Sequence, residues 1–462
     1  MRAWTRHLET LALLLIGLGG PLAYLAVSPV YSSGDEAAHV DYAYQVWQGR
    51  LPVFEDGLSL DNTTGVHPPV QWTAHHPPLF YLLLAPVVGP LADAGHVDAA
   101  GLAARAVVCC LAAALVLAVR WFGRLALPGT PAVGTLAAVV TGASVWFIRL
   151  GGSVYNDILA ALAITLAAAF LLAMTRSPSH RWYTIGFILA LCAAALTRIS
   201  LLPLCFVLLV LLLIQRWWRE KRPFLRAVAL PFAAGCAVLV ASGWFYVRNL
   251  QLTGNFSGRH PDWAVAHTSR VPRPFLEVAS DSEFWTTMLQ QFATSTIDAM
   301  PWTLAPQYGT LVLLVLPALA GLLIALRPRR SGFHPLALVI ALLVFTVVAA
   351  MQIQHVAGAG SALPRYFFAW VPFVAPLIAL ALWRAPLRWL VILAWLGARL
   401  AMTAAEFDAV LARVWDRPQA PVYPAVVWTG FAMLTVGALL ACLTLYVQHR
   451  SSRTSADQLA PA

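Results

Sequence analysis

Two adjacent carboxylates and a histidine follow the first long apolar run of the chain. Asp35, Glu36 and His39 lie in the stretch SGDEAAH, residues 33–39. On a helix that begins after Gly34, Asp35 and His39 are four residues apart and Glu36 and His39 are three apart, so all three are predicted to face one volume. Such a group suits proton transfer or cation binding at a membrane surface. The carboxylates are also typical of a helix cap, because negative charge is favoured in a first turn.

Other polar side chains occur where further apolar runs begin or end. An ionisable group within a membrane segment costs free energy, so each of these positions requires a reason. His75 and His76 precede two prolines and are also explained as interfacial residues. Asp157, in the stretch YND, is also explained as a helix N-cap.

The composition places these residues in a membrane protein. Hydrophobic residues make up 60% of the 462-residue chain and charged residues 11%, and the mean hydropathy is +0.73. Typical soluble globular proteins have a lower hydrophobic fraction and a higher charged fraction than this chain. The formal net charge is +10, but the arginines cluster between apolar runs, where they orient the chain in a bilayer. We therefore expect membrane lipids as partners and no nucleic acid.

The apolar runs predict an all-α, polytopic helical bundle. A bilayer core about 30 Å thick requires roughly 20 apolar residues per helix, which gives about 12 transmembrane helices within a membrane domain of residues 1–450. If the N-terminus is cytoplasmic, this number places every strongly basic loop on one side, as the positive-inside rule requires. The runs lie near residues 9–29, 99–123, 131–149, 157–175, 182–197, 199–215, 227–247, 309–326, 334–353, 366–383, 387–404 and 425–447.

The apolar segment 77–93 would disturb this topology if it crossed the membrane. An extra span there would move the basic cluster 216–222 to the outside. We therefore predict a juxtamembrane helix that lies at the outer face or dips into it, with the two prolines in its first turn. Two external segments result, 31–98 and 248–308, and residues 451–462 are expected to form a short disordered cytoplasmic tail.

Three arginines are expected on the external face, against the orientation bias. Arg198, Arg248 and Arg365 each lie at the end of an apolar run. One such arginine is explained by snorkelling, but three indicate an anionic ligand, and guanidinium geometry suits phosphate. Arg149 and His355 fall on the same face. The predicted site comprises Asp35, Glu36, His39, His75, His76, Tyr155, Asp157, Arg198, Arg248, Asn249, Arg365 and Tyr366.

The order of these motifs resembles the GT-C superfamily of polytopic glycosyltransferases that use polyprenyl-phosphate-linked sugars. The similar branch contains bacterial protein mannosyltransferase-like and lipid A aminoarabinose transferase-like enzymes. The motifs cover most of the membrane region, and no single one of them is specific. They are GDEAAH at 34–39, HPPLFY at 76–81, Arg105, SVYND at 153–157, Arg248-Asn249 with TGN at 253–255, and PRY at 364–366.

The resemblance implies transfer of a sugar from a polyprenyl phosphate or diphosphate to a lipid, glycan or protein acceptor at the periplasmic face of a bacterial inner membrane. It gives Asp35 the role of catalytic base or metal ligand, with Glu36 as the next candidate. Arginines would hold the donor phosphate. A divalent metal at Asp35, Glu36 and His39 stays an open alternative. A secondary transporter or lipid flippase and a non-catalytic envelope scaffold are the rival functions.

Overall fold

The computed structural model describes residues 3–62, 66–177, 180–293, 309, 311–412 and 422–457, and all regular elements in these ranges are helical. The α-helices are α1 (Ala3–Val27), α2 (Gly34–Trp47), α3 (Leu79–Asp93), α4 (Val97–Ala126), α5 (Ala132–Gly142), α6 (Val145–Gly151), α7 (Asp157–Arg176), α8 (Arg181–Ala195), α9 (Leu202–Ile214), α10 (Phe224–Thr253), α11 (Pro261–His267), α12 (Phe275–Ser280), α13 (Ser282–Ala293), α14 (Leu316–Ala325), α15 (Pro328–Ser331), α16 (Pro335–Ala357), α17 (Val371–Arg384), α18 (Arg388–Leu411) and α19 (Pro424–Asp457). Short 3-10 helices cover Ile199–Leu201 and Pro364–Trp370, and π-helical turns cover Gln215–Arg219 and Leu311–Val315.

The described part of the chain is a multi-pass membrane bundle. Nine of its helical segments are long and apolar enough to cross a bilayer, and α5 with α6 makes a tenth if this pair, bent by 66°, is one span. The apolar helices α8 and α14 occupy two further predicted runs but have only 15 and 10 residues. Each predicted run therefore contains a helix where it is described, whereas the number of 12 spans is not confirmed.

The break between α5 and α6 is stabilised by a distant helix. Ser144 begins α6 as its N-cap, and its hydroxyl accepts a hydrogen bond from the amide of Phe147. The guanidinium of Arg399, on α18, donates to the carbonyl oxygen of Ala143 at 3.0 Å. These contacts satisfy backbone groups that a helix end would otherwise leave without partners inside the bundle.

Helix α7 lies at the centre of the bundle and connects its two chemically different ends. It packs against α4 and α8, and 83% of its apolar window is buried, as expected of a helix that is hydrophobic all round. Asp157 begins this helix and Arg176 ends it. With 20 residues, α7 separates the two groups by about 30 Å.

The Arg176 end of α7 carries the basic residues expected in cytoplasmic loops. Arg176 donates a hydrogen bond to the carbonyl oxygen of Leu125, at the end of α4. Nearby, the buried carboxylate of Glu9 accepts hydrogen bonds from Arg120 at 2.7 Å and Arg124 at 2.6 Å. The Asp157 end is therefore opposite the basic end, as the positive-inside argument requires.

Helices α2 and α3 run side by side over the Asp157 end. The hydroxyl of Ser33 caps α2 by accepting a hydrogen bond from the amide of Glu36. The ring of Trp47, at the end of α2, donates to Asp93 at the end of α3. With 15 residues, α3 is about 22 Å long, which is shorter than a bilayer core. Pro78 is its N-cap, where proline removes no helical hydrogen bond.

The second predicted external segment contains three short helices, α11 to α13, and its residues 294–308 lie outside the described residues. Helix α10 continues to Thr253, so the residues from 248 to 253 are helical, and Gly254 ends the helix at φ +75°. In the expected tail, residues 451–457 continue α19 as helix, and residues 458–462 are not described.

Candidate active site

A cavity of about 870 Å³ opens at the Asp157 end of the bundle. Its volume is in the range of pockets that hold small-molecule ligands. The wall is formed by the start of α2, the loop before α3, the start of α7, the segment around α11, the end of α16 and the 3-10 helix after it. Nine of the predicted site residues line it, namely Asp35, His39, His75, His76, Tyr155, Asp157, Arg198, Arg365 and Tyr366.

The first of two ion pairs in this cavity joins α2 to the 3-10 helix before α17. An Oδ atom of Asp35 lies 2.5 Å from a guanidinium nitrogen of Arg365. The Arg365 guanidinium is held between aromatic rings, 4.9 Å from the centroid of Tyr155 and 5.1 Å from that of Tyr366. Burial raises the pKa of Asp35, but the neighbouring groups, Arg365 foremost, together outweigh this effect and keep that pKa below its usual value. Asp35 is therefore ionised at neutral pH, and a third of its side chain (33%) stays exposed in the cavity.

The second ion pair joins α7 to the loop after α8. The Arg198 guanidinium donates a hydrogen bond to Asp157, which lies in the first turn of α7, where the helix dipole favours a negative charge. Arg198 also lies 5.5 Å from the ring centroid of Tyr366. Tyr366 therefore contacts both arginines and holds the two ion pairs side by side.

Neutral imidazoles form the wall next to Asp35. The Nδ1 atom of His39 is 2.9 Å from the hydroxyl of Tyr81, and its ring is parallel to that of His76 at 5.8 Å. Burial lowers the pKa of both His39 and His75 to about 3, and that of His76 falls well below its usual value for the same reason. These rings are uncharged at neutral pH, so they can donate or accept hydrogen bonds to a ligand but add no positive charge.

Glu36 does not face the cavity, which corrects the expectation that it shares one volume with Asp35 and His39. Its carboxylate is 3% exposed and pairs at 2.6 Å with Arg105, which is 1% exposed. It also accepts hydrogen bonds from the backbone amides of Tyr31 and Val154. All of these partners belong to the helix packing below the cavity, so the position of Glu36 is that of a structural anchor and not of a catalytic group.

Arg248 and Asn249 also lie outside the cavity lining. Arg248 donates to the backbone carbonyl oxygen of Pro52 at 2.7 Å. Asn249 donates to that of His75 at 3.2 Å. Both side chains hold cavity-forming loops against α10, and neither is placed to contact a ligand directly.

The metal site considered from the sequence does not fit this geometry. Arg365 and Arg105 pair with the two carboxylates that would have been ligands, and Glu36 points away from His39. Within the described ranges, no group of three or more His, Cys, Asp or Glu side chains is placed to hold a metal ion. We therefore derive no chemical step through a metal.

Several cavity residues were missed by the sequence analysis. Arg259, Arg270 and Trp72 line the cavity together with the predicted residues. Arg259 and Arg270 flank α11. They belong to a polar external segment where arginines are common, so the residue type did not indicate a binding site.

Comparisons with known proteins support the same fold. Neither a protein-family profile nor a curated protein sequence matches the chain. The crystal structure of ArnT from Cupriavidus metallidurans bound to undecaprenyl phosphate is similar, with a TM-score of 0.51 and 16% identity over 94% of this chain and 75% of that one. The apo oligosaccharyltransferase of Archaeoglobus fulgidus gives 0.51 and 12% over 96% of this chain and 56% of that one. The expected all-helical, polytopic membrane fold is thereby confirmed, and it is similar to the fold of these two proteins.

Proposed function

We propose that this protein is a membrane glycosyltransferase that moves a sugar from a polyprenyl-phosphate-linked donor to an acceptor at the external face of the membrane. The observation that carries the proposal is the meeting of an ionised carboxylate, Asp35, with Arg365 and Arg198 in one cavity of a GT-C-type bundle. The similar ArnT structure contains undecaprenyl phosphate, which is a ligand of the class that such arginines suit.

Asp35 acts as the general base in this proposal. It takes the proton of an acceptor hydroxyl or amine while the acceptor atom bonds to the anomeric carbon. The bond between that carbon and the donor phosphate oxygen breaks, and its electron pair leaves with the phosphate. Direct attack of this kind inverts the anomeric centre. The exposed third of the Asp35 side chain is the part available to the acceptor.

Arg198 and Arg365 stabilise the negative charge that develops on the leaving phosphate. Both lie close enough to Asp35 to lower its pKa, so a phosphate between them is also close to the base. The neutral rings of His39 and His76 supply hydrogen bonds that position the acceptor without attracting further anions. A transporter is expected to have its charged groups near the bilayer midplane. The charged residues of this cavity lie instead at the Asp157 end of α7.

The test is a comparison of lipid-linked sugars in cells with and without the protein. We expect cells that lack it to accumulate a polyprenyl-linked sugar, detected by mass spectrometry of lipid extracts, and the wild-type protein to remove it. Asp35→Asn should leave the sugar in place. Asp93→Asn is the matched control, because Asp93 is exposed at the end of α3 and bonds Tyr44 and Trp47 away from the cavity.

Two results would contradict the proposal at different levels. If no lipid-linked sugar changes when the protein is removed, the transferase function is wrong. If Asp35→Asn removes the sugar as fast as the wild type does, the function stands and the assignment of the base is wrong.

The external position of the cavity has its own test. Asp56 is exposed at the cavity end, and Arg219 is exposed beyond α9 at the basic end. A membrane-impermeant maleimide should label Asp56→Cys in intact cells, and Arg219→Cys only after permeabilisation. The parent protein measures the background from the six native cysteines. Labelling in the reverse order would place the cavity in the cytoplasm.

A further inference from the structure

The cavity carries more positive charge than its two ion pairs use. Among the described residues, four arginines and two carboxylates line it, which leaves an excess of two positive charges on these six side chains. Asp35 and Asp157 neutralise Arg365 and Arg198. The remaining two arginines are Arg259 and Arg270.

Arg259 and Arg270 are free to bind an anion. Among the described residues, no carboxylate lies within ion-pair distance of either one, although Arg273 on the same segment pairs with Asp281 at 2.8 Å. Arg259 precedes α11 and Arg270 follows it, so a single segment brings both to the cavity. Gly258 packs this segment against His75 at the cavity wall.

His355 lies close to three of the four cavity arginines. Arg259, Arg198 and Arg270 are all close enough to act on its charge, and its ring meets Tyr366 edge to face at 5.2 Å. Both ring nitrogens are buried without a hydrogen-bond partner in the described part of the protein. A buried polar group of this kind is normally satisfied, so it points to a ligand at this place.

We propose that Arg259, Arg270 and His355 form a second phosphate subsite, and that the donor is linked through a diphosphate and not a monophosphate. At neutral pH each bridging phosphate of a sugar-linked lipid contributes about one negative charge. A monophosphate linkage would leave one of the two excess arginine charges uncompensated, whereas a diphosphate linkage matches both. The phosphate bonded to the sugar lies at Arg198 and Arg365, and the second one lies at the new subsite.

The inference rests on the proposed transferase function and specifies its donor class. The test measures binding of the methyl esters of undecaprenyl phosphate and undecaprenyl diphosphate, in which every phosphate is bridging, to the purified full-length protein by native mass spectrometry. We expect the wild type to bind the diphosphate at least tenfold more tightly, which is about 1.4 kcal/mol. Arg259→Gln with Arg270→Gln should remove this preference and leave monophosphate binding unchanged. Arg273→Gln is the matched control and should keep the preference, because Arg273 does not line the cavity.

A second measurement does not depend on the folding of any variant. Inorganic diphosphate should raise the thermal unfolding temperature of the wild-type protein more than orthophosphate does at equal concentration and ionic strength. Equal binding of the two lipids by the wild type, or a preference that survives in the double variant, would overturn the diphosphate inference alone. Binding of neither lipid would overturn the proposed function as well.

Discussion

Replacement of Glu36 by glutamine separates the roles of two neighbouring carboxylates. Arg105 surrounds the Glu36 carboxylate with two hydrogen bonds, of 2.6 and 2.7 Å. The remaining donors of Arg105 are bound to the backbone carbonyl oxygens of Leu25, Ser28 and Pro29. Glu36→Gln leaves this guanidinium buried with only dipolar partners. We therefore expect a large loss of stability and little direct effect on the reaction.

The expected magnitude follows from the burial of the pair. Removing one member of a buried ion pair costs about 3–5 kcal/mol, because the other charge stays uncompensated. Glu36 and Arg105 are 3% and 1% exposed, whereas Asp35 and Arg365 are 33% and 14% exposed. The cost of Asp35→Asn should be smaller, because water in the cavity solvates part of the change. Its effect on turnover should be large, since loss of a general base costs about 10²–10⁴-fold.

The assay combines thermal unfolding of the detergent-solubilised protein with turnover per folded molecule. Glu36→Gln should unfold at a clearly lower temperature and keep its turnover. Asp35→Asn should lose turnover and show a smaller fall in its unfolding temperature. Arg105→Gln added to Glu36→Gln should cost less than the sum of the single changes, because no unpaired charge is left. The reasoning is refuted if Glu36→Gln unfolds like the wild type, or if it loses turnover while its stability is unchanged.

Two further predictions concern the base and the segment around α11. Arg365→Gln should move the acid limb of the pH–rate profile to higher pH, because turnover requires ionised Asp35 and loss of the arginine raises the pKa of that carboxyl. Arg365→Lys should move it less, and an unchanged limb would show that another group titrates. Gly258→Ala should weaken donor binding and speed hydrogen exchange in residues 255–268, because a Cβ atom at φ +65° would lie 2.9 Å from that of His75. Gly49→Ala is the control, since Gly49 has φ +79° with open space around it, and an equal effect of both changes would mean that only backbone strain was measured.

The span positions and the charge separation could be predicted because they depend on local composition. Each predicted run contains a helix where it is described, and the basic end lies opposite Asp157. The number of spans could not be predicted in the same way. The bend between α5 and α6 depends on Arg399, which comes from α18. The hydropathy of one segment does not reveal a hydrogen-bond partner that lies more than two hundred residues further along the chain.

The candidate site was predicted from polar residues that lie at the ends of apolar runs. This reasoning found Asp157, Arg198 and Arg365, which line the cavity. It was misled at Glu36, because neighbouring residues on a helix point about 100° apart, and only the position of α4 decides which of them meets the cavity. The spacing along α2 brings each carboxylate near His39, but the attraction of Arg105 turns Glu36 away from the cavity.

The pairing of Asp35 with Arg365 links donor binding to proton transfer in the proposed reaction. Without a ligand, the ion pair keeps the pKa of Asp35 low, which makes the carboxylate a weak base. A donor phosphate that attracts the same guanidinium shares its positive charge, so the pKa of Asp35 should rise when the donor binds. The carboxylate then becomes a stronger base at the moment when the anomeric carbon is in place. We therefore expect the acceptor to lose its proton only in the presence of the donor, which limits unproductive deprotonation in the empty cavity.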